Sequence, residues 1–154
     1  MQITAGMVKD LRERTGLGMM ECKAALTETD GDMAAAVDLL RKKSSLKAEK
    51  KAGRTAAEGL LGIASAADGS AAALVEVNIE TDFAAKNEKF RAYVVKVAET
   101  ALARGESDIA KLMADGLDAE RQALVQEIGE NITVRRAAVL KAAAGEVVGS
   151  YVHS

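Results

Sequence analysis

Residues 58–80, EGLLGIASAADGSAAALVEVNIE, hold two apolar, strand-like runs on either side of Asp68-Gly69. Asp-Gly between such runs is a hairpin signal, because glycine takes the positive φ that the turn demands; here the loop is slightly longer than two residues. ITVRRAAVL reads as a further strand, and EVVGSYVHS as the start of another. Between and before these runs the apolar residues follow helical spacing. Helices are predicted at about Asn87–Arg104, Asp108–Ala114 and Asp118–Glu130. Strands embedded in helical sequence define an α+β fold, with a small antiparallel sheet carrying helices.

The first 55 residues are helical. Thr4 is placed to cap a helix whose apolar positions are Met7, Val8 and Leu11, and Gly16 ends it. Gly18 reopens the chain for a second helix, from Met19 to about Thr29. TDGD then makes a turn, with Asp32 as N-cap of a third helix that buries Val37 and Leu40. This predicts a compact three-helix bundle. RKKSSLKAEKKAGR, Arg41–Arg54, is read as a mostly helical basic linker ending near Gly53. The expected domains are therefore 1–55, a bundle with its basic linker; 56–145, an α+β core; and 146–154, the start of a further subdomain. The chain reads as a piece of something longer.

Composition narrows the function. Nearly half of the 154 residues are apolar, yet aromatics make up 3% and tryptophan and proline are absent. Such a core is built from Ala, Leu, Val, Ile and Met, and its helix limits come from glycines and caps. The net charge of -2 and pI near 5.6 give no overall electrostatic footprint for nucleic acid. The run Lys42–Arg54 is the local exception, read as a solvated helix face or as a contact to nucleic acid or an acidic patch. A single cysteine, Cys22, makes no internal disulfide and suits a reducing compartment. No secretory leader or apolar membrane span is evident, which predicts a cytoplasmic protein.

Enzyme signatures are missing. The one histidine, His153, has no cluster of metal ligands around it in sequence. GLG at 16–18 lacks the spacing and the lysine of a phosphate loop. Cys22 falls in mid-helix, as a small core or boundary residue. The expectation is a protein that is not an enzyme and holds no metal or cofactor.

Two features remain. Met19-Met20 follows a glycine; methionine fills cores but also serves surfaces that accept a partner. Adjacent helical residues point about 100° apart, so both methionines are not equally buried, and core and contact readings stand side by side. The other feature is NIETDFAAKNEKF, residues 78–90. It joins a strand to a helix whose pattern begins near Asn87. Thr81 or Asp82 capping that helix with Phe83 as a staple is one reading. An exposed turn presenting Phe83 as an anchor, beside a carboxylate, is the other.

The blocks TGLGMMECKAAL, DGDMAAAVDLLRKK, AEKKAGRTAAEG, VEVNIETDFAAKNEKF and IGENITVRRAA, in this order, resemble the N-terminal half of the bacterial elongation factor Ts family. The resemblance runs from Ile3 to His153. It implies a guanine-nucleotide exchange factor for elongation factor Tu in translation elongation. It also implies an N-terminal bundle similar to ubiquitin-associated domains, followed by a first core (dimerisation) subdomain. The second core subdomain and the segments after it have no counterpart here.

The resemblance also assigns residues. Thr81, Asp82 and Phe83 match the family's Thr-Asp-Phe motif, which inserts between helices of the partner's nucleotide domain near its magnesium; Ala84 stands where many members carry valine. Met19 and Met20 match positions that pack on a helix of that domain, and His153 matches a position in the core contact. The implied partner is elongation factor Tu, GDP-bound or nucleotide-free, with no membrane and no direct nucleic acid. The competing readings are a ubiquitin-associated-like helical binding module and a ribosome or RNA adaptor without exchange activity.

Overall fold

The computed structural model describes residues Met1 to His153. These form two compact units: Met1–Arg54 with Ala119–Asn131, and Thr55–Asp118 with the chain from Ile132 onward.

In the first unit, α1 (Ala5–Thr15) starts at Thr4, whose side chain accepts the Met7 N–H at 3.2 Å. α2 (Met19–Glu28) follows the Gly16–Gly18 turn, and α3 (Met33–Lys51) is capped by Asp32, which accepts from Ala35 at 3.0 Å. Val8, Leu11, Leu17, Cys22, Ala25, Leu26, Ala36 and Leu40 form the core. Cys22 is thus a small core residue. Fully burying leucines of this kind stabilises by about 1.5–3 kcal/mol each.

One expectation is corrected here. The basic run is not a separate linker: α3 continues unbroken through it to Lys51. Leu40, Ser44 and Ala48 are all buried and repeat every four residues, so one stripe of the helix stays covered. The cover comes from the segment after Asp118. Ser44 donates to Gln126, Gln126 donates to Glu21 at 2.6 Å, and Lys51 donates to the Gly129 carbonyl at 3.1 Å. Lys43 and Lys47 reach Glu28 and Glu21 at 3.2 and 3.1 Å. The 119–131 segment, including most of α7 (Leu117–Ile128), therefore packs with the bundle, whereas the sequence reading runs 56–145 as one core.

The second unit is a three-stranded antiparallel sheet in the order β1 (Glu58–Ser65), β2 (Ala71–Ile79), β3 (Ile132–Lys141). The β1–β2 turn is the expected one: Gly69 has φ +74° and Asp68 accepts the Ser70 N–H at 2.9 Å. Val75, Val77 and Ile79 are buried on one face. α5 (Glu88–Arg104) packs on β1 and β2 and buries Phe90, Tyr93, Val94, Val97, Ala98 and Ala101. A Cβ on Gly62 would lie 2.8 Å from Val94 Cγ1 and 3.1 Å from the Val94 carbonyl, so glycine is what lets the helix come this close. α6 (Ile109–Met113) follows, and the Tyr93 hydroxyl donates to the Leu117 carbonyl at 2.9 Å.

A bulge interrupts the β2–β3 register. Glu76 pairs with Arg136 and Val77 with Val134, which leaves Arg135 as the extra residue. Both arginines bond the Glu76 carboxylate at 3.0 Å. The hydrogen bond from Arg135 is the main reason this carboxyl lies below its ordinary value. Partial burial opposes the shift, and Arg136 adds to it.

Among the described residues of EVVGSYVHS, 146–153, the expected strand is not formed; Ser154 lies outside the described residues. Glu146 donates back to the Ala143 carbonyl at 3.0 Å, turning the chain away from β3, and Val148 donates to Gly69 in the hairpin loop at 2.8 Å. A segment that meets a loop in place of a strand edge has no ladder to join.

Candidate partner-binding corner

The stretch that joins sheet to helix is built from two successive caps. Thr81, in extended conformation, accepts the Ala84 N–H on its side-chain oxygen at 3.1 Å and starts the single turn α4 (Asp82–Ala85). Asn87 then accepts the N–H groups of Lys89 and Phe90 at 2.9 and 3.1 Å and starts α5. Thr81 is thus a cap, but of α4 and not of the long helix for which the first reading offered Thr81 or Asp82; Asn87 caps that one. The staple is not formed: Phe83 is 85% exposed.

The burial pattern explains why. At about 100° per residue, a single turn sends its first and last halves to different sides. Ala84 and Ala85 face the protein and are buried, while Thr81, Asp82 and Phe83 face outward. Ala84 therefore anchors the turn, and Asp82 and Phe83 are what the turn presents. An aromatic side chain held in water on such a corner is a candidate anchor.

Beside α4 lies a cleft of about 510 Å³ between this corner and the start of β1. Leu60 and Ala85 contribute its apolar lining; Glu58, Asp82, Lys86 and Arg91 contribute two charges of each sign. Sequence reading missed Glu58, Lys86 and Arg91, since no spacing links a strand residue to the two bases near Asn87. Only the packing of α4 and α5 on β1 makes them neighbours.

The other expected contact residues lie elsewhere. Met19 and Met20 open α2 in the first unit and are 54% and 78% exposed, so the core reading of this pair does not hold. Gly18 leads into the helix without a side-chain cap, and the apolar core takes Leu17 before it and Cys22 after it. His153 is exposed in the second unit, its ring tilted against Tyr151 at a centroid distance of 6.4 Å. Among the described residues, no group of three or more His, Cys, Asp or Glu side chains is arranged to hold a metal ion. No described helix is long and apolar enough to cross a membrane.

The family model described as "Elongation factor TS" matches residues 80–154, a stretch that contains the corner. Elongation factor Ts of Marinobacter nauticus is 57% identical over 152 residues, covering 99% of this chain and 52% of the relative. That of Teredinibacter turnerae is 55% identical over 154 residues, covering 100% of this chain and 52% of the relative. The Arthrospira platensis protein of the same name is 54% identical over 157 residues, with 98% and 63% covered. The chain thus spans about half the length of most of the curated relatives it matches. Identity at this level along the whole chain, with the family model falling on the corner itself, makes this chain similar from end to end to about half the length of elongation factor Ts proteins.

Proposed function

We propose that the chain promotes GDP release from elongation factor Tu, with the Thr81–Ala84 corner as a wedge. The observation that carries this reading is Phe83, 85% exposed on a turn whose neighbours Ala84 and Ala85 are buried. Similarity to elongation factor Ts along the whole chain supports the choice of partner.

The proposed mechanism needs no covalent chemistry, so the chain is not an enzyme in this reading. A GTPase holds GDP through backbone amides, a lysine and a magnesium ion that bridges phosphate to a hydroxyl. Phe83 is buried only when a helix of the partner has moved away from that metal. Burial of a phenylalanine stabilises the displaced arrangement by about 1.5–3 kcal/mol. Asp82 adds charge-assisted hydrogen bonds to the moved helix. Nucleotide and factor then weaken each other's binding by the same factor, as linkage requires. Met19, Met20 and His153 supply contacts outside the wedge.

The competing readings have less support. On α3, Lys43 and Lys47 already pair with the carboxylates of Glu28 and Glu21, which reduces the positive charge left for RNA. The exposed methionine pair suits a helical binding module, and that role is compatible with exchange.

The test is release of labelled GDP from elongation factor Tu with and without this chain. Acceleration that disappears in Phe83→Ala is the expected result. Release at the spontaneous rate with the wild-type chain refutes the reading.

A further inference from the structure

Glu21 is the third residue of α2 and directly follows the exposed methionine pair. The helix starts at Gly18, which has no side chain to cap it. The third helical position is where the acid of a capping box reaches back to the N-cap, and the Gly18 backbone hydrogen-bonds the Glu21 side chain. Two further helices hold the same carboxylate. Lys47 of α3 donates to Glu21 Oε1 at 3.1 Å, and Gln126 of α7 donates to that oxygen at 2.6 Å. Gln126 in turn accepts from Ser44, which is buried on α3. A carboxylate only accepts, so the Gln126 amide turns its NH2 to Glu21 and its oxygen to Ser44. One side chain thus ties the covered stripe of α3 to the start of α2. Burial opposes the charged form of Glu21, yet the bonds from Gln126 and Lys47 outweigh it, and its carboxyl lies below the ordinary value.

Resting on the proposed contact of Met19 and Met20 with elongation factor Tu, we infer that Gln126 is a positioning residue for that contact, holding the first turn of α2 through Glu21. Both methionines are exposed, so burial does little to order them. A helix start has N–H groups without helical partners and is among the first places to open. A frayed turn must be ordered on binding, and apparent affinity falls with the fraction of time the turn is formed. α7 is itself anchored on the first unit: Ala123 packs on the bundle core, and Lys51 donates to the Gly129 carbonyl just beyond the helix end at 3.1 Å. Glutamine is the residue type that this role needs. A glutamate at 126 sets a second carboxylate against Glu21, and an apolar residue leaves the buried Ser44 hydroxyl without its acceptor. The methionine surface of the bundle therefore depends on a side chain 105 residues from Glu21 in sequence.

The experiment measures two quantities on the full chain: affinity for nucleotide-free elongation factor Tu, and hydrogen exchange at Cys22, whose N–H bonds the Gly18 carbonyl at 3.0 Å. Gln126→Glu should bind several-fold more weakly and exchange faster at Cys22. Combining it with Glu21→Gln should restore both, because an amide at 21 again donates to a carboxylate at 126 and Ser44 keeps its acceptor. Ser44→Ala with Gln126→Met removes the brace without leaving a buried polar group, so it should melt near wild type and still bind weakly. In a chain carrying Met19→Ala and Met20→Ala, Gln126→Glu should cost no further affinity, since the contact it positions is already gone. Wild-type affinity for Ser44→Ala with Gln126→Met, alongside weak binding of the methionine-free chain, overturns the positioning role and leaves the contact standing. Wild-type affinity for the methionine-free chain removes the contact and the positioning role with it. Equal losses from Gln126→Glu with and without the methionines, or a loss that Glu21→Gln does not repair, mean that Gln126 acts on binding by another route and overturn the assignment.

Discussion

Phe83 and Phe90 flank one corner of the chain and differ completely in burial: Phe83 is 85% exposed, and Phe90 is fully buried. They are the only phenylalanines present. Phe90 stands in the first turn of α5 and is held there by the Asn87 cap, which accepts its N–H at 3.1 Å. Phe83 stands in α4, held by the Thr81 cap one residue before that turn begins. Two caps in close succession are what separate an aromatic that builds the core from one that is offered to solvent.

The first prediction follows from the Thr81 cap. Replacing Thr81 by alanine removes the acceptor for the Ala84 N–H, a loss of about 0.5–2 kcal/mol in the local turn. Phe83 remains but is no longer held in place, so part of its burial energy goes to ordering the turn on binding. GDP release assays should show several-fold weaker exchange for Thr81→Ala and near wild-type exchange for Thr81→Ser. Equal weakening by the two variants would mean that the cap plays no part.

The second prediction concerns Gly62. An alanine Cβ there meets Val94 Cγ1 at 2.8 Å and the Val94 carbonyl at 3.1 Å, so α5 must shift away from the sheet. Overpacking of this kind costs about 1–3 kcal/mol. Thermal melting of Gly62→Ala should fall by several degrees, and Gly62→Val by more. If Gly62→Ala melts with wild type, α5 can move away from β1 without cost and the close approach is not what Gly62 serves.

The third prediction is a pH dependence. The Glu76 carboxyl is held below its ordinary value chiefly by Arg135, with Arg136 adding. A depressed folded-state pKa contributes stability that is present above the unfolded value and lost as pH falls through the folded one. The melting difference between wild type and Glu76→Gln should thus be greatest near neutral pH. It should shrink below the ordinary carboxyl value of 4.5 as the wild-type group protonates. A difference that stays constant from pH 7 to pH 3 would assign the effect of the substitution to packing.

Much of the fold is written locally. Thr4, Asp32, Asn87 and Asp108 are each a side-chain cap at the start of a helix. Asp68-Gly69 marks the hairpin in the same direct way. What is not local is less legible. Ser44 looks like a break in a basic run, yet it is buried, because Gln126 comes back to meet it from 82 residues away. The tail EVVGSYVHS has strand-like composition, but a strand also needs an edge with matching register, and the turn at Ala143–Glu146 leads away from one. At the corner, the Thr-Asp-Phe triplet is visible in sequence, but two readings of it fit equally well. The exposure of Phe83 removes the staple, and that exposure is set by the burial of Ala84 and Ala85, which no sequence pattern marks. The cleft residues Glu58 and Arg91 come together solely through tertiary packing, so no sequence pattern marks them.

The fourth prediction addresses Met19 and Met20. Both are exposed at the start of α2, so a charge at either position should leave the bundle intact. Changing either one to Asp should lower affinity for elongation factor Tu while the melting temperature stays within about a degree or two of wild type. Variants that bind like wild type and melt earlier would assign the pair to packing.

The last prediction tests whether Asp82 and Phe83 act as one wedge. They are adjacent on a single turn and both are exposed, and the proposed wedge needs both to enter one gap in the partner. Phe83→Ala removes an aromatic worth about 2 kcal/mol or more as a buried anchor. Asp82→Ala removes charge-assisted hydrogen bonds worth roughly 1.5–3 kcal/mol. If both contributions depend on the same displaced helix, losing one already loses part of the other, and the double variant should lose less than the sum. A wedge also differs from a plain contact in what it does to the nucleotide. A contact that stabilises both states alike shifts no equilibrium, whereas a contact made only in the displaced state shifts it by its full differential energy. Each single variant should therefore slow GDP release more than it weakens binding to the nucleotide-free partner. Stopped-flow release and equilibrium affinity, measured on wild type, both singles and the double, decide the matter. Additive losses that fall equally on release and binding would make Phe83 an ordinary interface residue, and exchange by this chain would then need another source.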